Sequence, residues 1–250
     1  MLAYILTALA AYLLGSIPTG YLVAKAKGID IRSVGSGNIG ATNTMRALGK
    51  PAGILVLLLD VAKGWLACVL SISIYILCTS AQSHHIQIGA HIRLDEVYYK
   101  IPSSIMIVAG IFAVLGHNYT CWLKFKGGKG IATTAGVYLA LAPLAVGIAL
   151  VVFILALLLT RYVSVGSISA AIALPAAVWV LAPHNVLLGV VTTALGALAI
   201  YKHKANIKRL VQGTENRFGK KVVSQASSPV RSGETPGQDA RATDKSEATK

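Results

Sequence analysis

Residues 35–49 read GSGNIGATNTMRALG, and residues 124–130 read KFKGGKG. Glycines let a backbone come close to an anion, so that successive N–H groups can ring a phosphate. The first string adds side-chain donors at Ser36, Asn38, Thr42 and Asn43, and a cation at Arg46 whose fork matches phosphate oxygens. The second supplies Gly127, Gly128, Lys129 and Gly130 beside Lys124 and Lys126. Phosphate binding is the chemistry the two strings share. Two nucleotide readings fail on context. GSGNIG fits G-x-G-x-x-G, but it follows a long apolar run in place of a strand, and the next acid, Asp60, lies inside another apolar run. KFKGGKG lacks the Ser or Thr that follows the lysine of an ATP-binding loop; Gly130 stands there.

Two further polar strings are RYVSVGS (161–167) and KHKANIKRLVQGTE (202–215). They bring Ser164, Ser167, His203, Asn206 and Glu215. His203 is the natural candidate for a general base, since its ordinary pKa lies near neutrality. A bland role, with its ring reaching toward lipid headgroups from the end of a span, fits it too. Glu215, set among cations, reads as an anchor for them. His117, at a helix end, reads either as part of the second string's site or as a side chain that only satisfies backbone.

The elements that must position these residues follow from composition. The chain has 250 residues, of which 55% are hydrophobic and only 13% charged, and its mean hydropathy is +0.66. Soluble domains carry about 25% charged residues, so the expectation is an all-α, polytopic membrane helix bundle. Residues 1–24 form a first span bent at Pro18, without the basic start or cleavage site of a signal peptide. Residues 52–79 form a second, interrupted by Asp60 and Lys63, three apart and expected to pair toward the bundle interior. A third runs near 102–121. The run 131–159, split by Pro143, reads as two short helices in a hairpin, and 166–182 and 186–201 complete about seven spans; the alternative is five full spans with re-entrant loops. Gly110, Gly136 and Gly147 permit close helix packing.

The net charge of +14 collects in short connections and the C-terminal segment. With the N-terminus outside and the C-terminus cytoplasmic, the basic loops at 25–51, 124–130, 161–165 and 202–221 all face the cytoplasm. Residues 81–100, polar and mixed in charge, then form an outer loop. Residues 1–221 make an integral membrane domain, and 222–250, rich in Ser, Gly, Thr and charge, a disordered cytoplasmic tail. No basic stripe with interleaved aromatics indicates nucleic acid, and Cys68, Cys78 and Cys121 show neither a disulfide framework nor zinc spacing.

GSGNIGATNTMRALG, GHNYTCWLKFKGGKGIAT, RYVSVGSI and KHKANIKRLVQGTE, in this order over roughly residues 5–218, resemble the bacterial acyl-phosphate-dependent glycerol-3-phosphate acyltransferases. The resemblance implies an enzyme of the bacterial inner membrane, working at its cytoplasmic face. It would move an acyl group from acyl phosphate to the 1-hydroxyl of glycerol 3-phosphate and release lysophosphatidic acid and phosphate. It implies no cofactor, no metal and no acyl-CoA, and a monomer whose partners are its two substrates and the bilayer. Carried over, Ser36, Arg46, His203 and Asn206 are catalytic positions. Asn38, Thr42, Asn43, Gly127, Gly128, Lys129, Gly130, Ser164 or Ser167, and Glu215 are substrate-binding. One departure is Thr120, where the family has proline, which bears on the local turn alone. The donor is a mixed anhydride with a good leaving group, so holding two anions, aligning hydroxyl with carbonyl and stabilising an oxyanion are the main demands. Transfer is expected to be direct, without an acyl-enzyme.

Rival readings have weaker support. Acyl-CoA-dependent acyltransferases use His-x-x-x-x-Asp, and no histidine here has Asp five positions on. A transporter for an organic phosphate would hold its site near the midplane between repeats, whereas these strings gather at one face. A structural membrane anchor leaves the four polar strings unexplained.

Overall fold

In hydrocarbon every backbone polar group must be satisfied within the chain, and an all-apolar run achieves this as a helix. The computed structural model describes residues 1–80 and 103–219. The expected outer loop at 81–100 and the tail at 222–250 lie outside them. The described residues fold as ten α-helices and two short 3-10 turns (Ile31–Ser33 and Cys121–Leu123), without a strand: α1 (Leu2–Ser16), α2 (Thr19–Lys25), α3 (Ala41–Leu48), α4 (Lys50–Ser80), α5 (Ser103–Asn118), α6 (Ile131–Leu141), α7 (Pro143–Thr160), α8 (Val163–Leu181), α9 (Val186–Lys202) and α10 (Lys204–Val211).

Five of these units are long and apolar enough to cross a membrane: Leu2–Lys25, Lys50–Ser80, Ser103–Leu123, Pro143–Thr160 and Val163–Leu181. The pair α9 and α10, bent by 53° at His203, makes a sixth if counted as one span. The expected seven apolar segments are present, but α6, at 11 residues, is only about 16 Å long and falls short of the hydrocarbon thickness. The 131–159 run is therefore not a pair of short helices. Its break falls at Ala142, before Pro143 at the first position of α7, and α7 alone is 18 residues long and free of charge. Proline fits there because a first-turn N–H has no intrahelical partner to lose.

Helices in lipid associate through close packing, which small residues permit. A Cβ on Gly15 would stand 2.1 Å from the Ala113 carbonyl oxygen, and one on Gly116 2.3 Å from that of Tyr12, so α1 and α5 touch backbone to backbone. Gly64 and Gly136 seat α4 on α6 in the same way, against Thr133 and Val61. Gly110 packs on Val137 as expected, but Gly147 has no atom within 4 Å of its Cβ position and packs nothing. The core is accordingly rich in alanine, with Ala67, Ala109, Ala113 and Ala149 buried, while Leu150, Leu155, Leu158 and Leu159 of α7 face outward.

Pro18 ends α1 and interrupts the helical bonding of the last carbonyls before it. Two buried donors take them: Thr120 Oγ1 donates to the Ser16 oxygen at 2.5 Å, and Lys63 Nζ to that of Ile17 at 3.0 Å. The expected Asp60–Lys63 pair is formed, at 2.8 Å and buried. Thr120 has φ −63° and ψ 130°, the backbone that proline imposes. Its hydroxyl also accepts the Trp122 N–H at 3.3 Å, so threonine keeps the turn and adds a tie to α1.

Candidate active site

The first polar string is organised by one buried amide. Asn43 Nδ2 donates to the carbonyls of Ile31 at 3.2 Å and Val34 at 2.9 Å, and its Oδ1 accepts the Ser36 N–H at 2.9 Å. Gly35, at φ +60°, allows the approach: a Cβ there would stand 2.4 Å from Asn43 Oδ1. Asn43, expected as a substrate-binding residue, shapes the loop and fixes the Ser36 amide through these bonds. Asn38 Oδ1 likewise accepts the Gly40 N–H at 2.8 Å, which leaves its amide nitrogen for a ligand. The Asn43 and Thr44 N–H groups both go to the Gly40 oxygen, and no side chain caps α3. The amides of Ala41 and Thr42 therefore stand at an open helix N-terminus, where an anion is favoured.

The second string differs from its expected form as a glycine cradle. The Gly127 N–H goes to the Asn118 oxygen at 3.2 Å, and that of Gly128 to His117 at 2.9 Å. These amides cannot ring a phosphate. Glycine is needed because a Cβ on Gly127 would stand 2.1 Å from the His117 oxygen, and one on Gly128 2.0 Å from His117 Nε2. Besides the exposed Lys124 and Lys126, the string offers an anion Lys129 and the uncapped first turn of α6, which opens at Gly130 with φ +83°. His117 does more than satisfy backbone: its Nδ1 lies 2.9 Å from Lys63 Nζ.

The four strings meet at one end of the bundle. Lys129 Nζ donates to Asn206 Oδ1, and Asn206 Nδ2 donates to Glu215 Oε1 at 2.7 Å. Ser164 Oγ donates to the same oxygen at 3.0 Å, and Arg209 Nε to Glu215 Oε2 at 2.6 Å. Arg46 Nη2 reaches the Asn216 carbonyl at 3.4 Å. The chain after Glu215 lies along the start of α8, with the Phe218 N–H on the Arg161 oxygen at 2.7 Å and Arg217 Nε on Tyr162 Oη at 3.1 Å. Ser164 therefore joins the network, whereas Ser167, one turn on, is buried outside it. Ser36 and Asn38 are carried by the loop that leads into α3 and Thr42 by its first turn, and among the described residues none of them bonds to this network.

Electrostatics follow from that geometry. Burial works to raise the pKa of Glu215, but hydrogen bonds from Asn206 and Arg209 outweigh it and hold the carboxyl below its ordinary value. The cations Lys129, Arg46 and Arg209 share this one carboxylate, an excess of positive charge suited to anionic ligands. Burial first, and then Arg209 and Arg46, push Lys129 down to about 8. His203 closes α9, and its Nδ1–H donates to the Ala199 oxygen at 2.7 Å, which leaves Nε2 as an acceptor. Burial, followed by the charge of Lys129, lowers it to about 4, so it is neutral near pH 7. The sequence reading missed Arg209, whose role rests on a partner six residues ahead across the turn at Gly213.

A family model described as glycerol-3-phosphate acyltransferase matches residues 5–213. The glycerol-3-phosphate acyltransferase of Geotalea daltonii is 42% identical over 218 residues, covering 87% of this chain and 99% of its own length. That of Geobacter metallireducens is 48% identical over 218 residues, with the same coverage of 87% and 99%. Among solved structures, the glycerol 3-phosphate form of PlsY (YgiH), an integral membrane glycerol 3-phosphate acyltransferase, is similar with a TM-score of 0.71 at 38% identity, covering 86% of this chain and 96% of that one. Its lysophosphatidic acid form gives 0.69 at 37% identity, covering 86% and 95%.

Proposed function

The chain belongs to the glycerol-3-phosphate acyltransferase family, and from that premise we propose that it transfers an acyl group from acyl phosphate to the 1-hydroxyl of glycerol 3-phosphate. It is an integral membrane acyltransferase of phospholipid synthesis. The observation that carries the finer reading is the charge balance of the site: Lys129, Arg46 and Arg209 around Glu215, beside the uncapped N-terminus of α6. Both substrates of an acyl-phosphate-dependent reaction carry a phosphate, and the net positive charge of this site favours such anions.

In the proposed reaction the hydroxyl oxygen attacks the carbonyl carbon and the carbonyl–phosphate bond breaks. The ester forms, and the hydroxyl proton leaves with inorganic phosphate. His203 Nε2 accepts the hydrogen bond of the attacking hydroxyl. With its pKa lowered to about 4 it is a weak base, and a bound phosphate dianion raises it; it orients the hydroxyl and relays the proton to the departing phosphate. In this reading Ser36 and the open amides of α3 bind the acyl phosphate, and Arg46 and Lys129 meet phosphate charge. Substrate positioning and preorganised donors supply most of the acceleration. Transfer is direct, and the enzyme works as a monomer in the bacterial inner membrane with these loops toward the cytoplasm, the side that the positive-inside rule assigns to basic loops.

The test is a choice of donors. Purified protein receives glycerol 3-phosphate with palmitoyl phosphate or palmitoyl-CoA. Lysophosphatidic acid from the phosphate alone supports the reading; product from the thioester alone moves the chain to another donor class.

A further inference from the structure

A charged pair inside a membrane span needs a reason, because burying it seldom stabilises a fold over well-packed apolar residues. Asp60 and Lys63 of α4 have one, in what they do to His117 of α5. Lys63 Nζ has three acceptors around it: Asp60 Oδ1 at 2.8 Å, the Ile17 carbonyl at 3.0 Å and His117 Nδ1 at 2.9 Å. Thr19 Oγ1 donates to the same Asp60 oxygen at 2.6 Å. An ammonium only donates, so His117 Nδ1 accepts and the ring proton sits on Nε2. The ring is thereby fixed in plane and tautomer, and it is 6% exposed. Its far edge lies against Gly128, where a Cβ would stand 2.0 Å from Nε2. The His117 carbonyl holds the Gly128 N–H at 2.9 Å from the other side. Gly128 is the residue before Lys129.

We propose that His117, held by the Asp60–Lys63 pair, is a positioning residue for Lys129: its imidazole and carbonyl together clamp Gly128 and so aim the lysine at Asn206. The inference rests on the reading that Lys129 meets a substrate phosphate. Around Lys129 the charged and titratable groups are Glu215 and Arg209, Arg46 from α3, and His203; the clamp touches none of them. Helix glue between α2, α4 and α5 is the rival role, and it makes different predictions. A clamp couples His117 to Gly128; glue does not.

The test is a double-mutant cycle of His117→Ala, Gly128→Ala and the two combined, read as the rate of lysophosphatidic acid formation and the KM for glycerol 3-phosphate. Gly128 does not have a left-handed backbone, and the three atoms nearest a Cβ there all belong to the His117 ring, so it is the ring that excludes alanine. The clamp predicts a more than 100-fold loss for Gly128→Ala and a KM raised more than tenfold in His117→Ala. It also predicts a combined variant within threefold of His117→Ala, because the space vacated by the ring admits the methyl group. Losses that multiply, or an unchanged KM beside a lowered melting temperature, overturn it. His117→Asn keeps an acceptor for Lys63 but cannot reach Gly128; should His117→Ala fail to fold, it must reproduce the KM effect, and wild-type behaviour overturns the proposal. A second readout needs no activity. Labelling of Lys129 by an amine reagent, followed against pH by mass spectrometry, should move its midpoint up by at least one pH unit in His117→Asn; an unmoved midpoint overturns the clamp. Should the wild type transfer no acyl group, the functional reading falls while the labelling still decides the clamp.

Discussion

Lys129 and Asn206, 77 residues apart in the chain, are joined by a hydrogen bond whose acceptor is held in turn by Glu215. The bond links the second polar string to the last. Asn206 offers its oxygen to Lys129 and its nitrogen to Glu215, and only an amide presents both. Asn206→Asp loses the donor to Glu215 and sets two carboxylates side by side; Asn206→Ala leaves Lys129 without that acceptor. Steady-state kinetics should show each losing about 100-fold in kcat/KM, close to 2.7 kcal/mol of transition-state stabilisation.

Activity should fall on the alkaline side. Burial pushes Lys129 down to about 8, and it must be charged to meet phosphate, so binding of glycerol 3-phosphate weakens as pH rises through that value. A bound dianion moves the limb upward, so the limb of kcat should lie above that of kcat/KM. Folding lowers this pKa from 10.5, so the folded state binds fewer protons than the unfolded, and the stability contribution of this group rises between about 8 and 10.5. Rate profiles and melting curves from pH 6 to 11 check the two signs separately.

Acid should destabilise the fold. His203 has a folded pKa of about 4 against 6.5, and Glu215 also lies below its ordinary value. Both bind fewer protons folded than unfolded. Their stabilisation is present above the unfolded pKa and is lost as pH falls through the folded one. For His203 the loss runs from about 6.5 down to about 4. The melting temperature of His203→Gln should therefore depend less on pH than that of the wild type across this window.

Glycines that look alike in sequence should differ in cost. Gly64→Ala drives a methyl to within 2.2 Å of the Thr133 oxygen and should cost about 3 kcal/mol, at the upper end for overpacking. Gly147→Ala meets nothing within 4 Å and should be neutral or slightly stabilising in α7. Thermal melts in one detergent distinguish them.

Thr120→Pro should be tolerated. The backbone already has φ −63°. The change removes two hydroxyl bonds, to the Ser16 oxygen and from the Trp122 N–H, a loss of about 2 kcal/mol, and activity should stay within about twofold.

These contrasts mark what the sequence could say. Glycine-rich polar strings stand out in an apolar chain, so Arg46, Lys129 and His203 were legible from the strings themselves, while Ser164, Asn206 and Glu215 came from the resemblance to the family. Whether a given amide is free was not legible. The N–H groups of Gly127 and Gly128 are taken by carbonyls of His117 and Asn118, and Asn43 turns inward; those facts depend on where the chain folds back. The break before Pro143 was legible too, but an all-apolar run has no face to tell buried from lipid-exposed turns, so the short α6 and long α7 were not. Arg209 lay hidden among other basic residues, since only the turn at Gly213 brings Glu215 to it.

The most direct measurement follows phosphate and lipid together. Wild-type protein and Lys129→Ala receive palmitoyl phosphate and glycerol 3-phosphate, and released phosphate and lysophosphatidic acid are counted. Equal amounts of both from the wild type, with at least a 100-fold lower rate in Lys129→Ala, is the predicted result. Phosphate release without lysophosphatidic acid, or a Lys129→Ala variant as fast as the wild type, would contradict acyl transfer at this site.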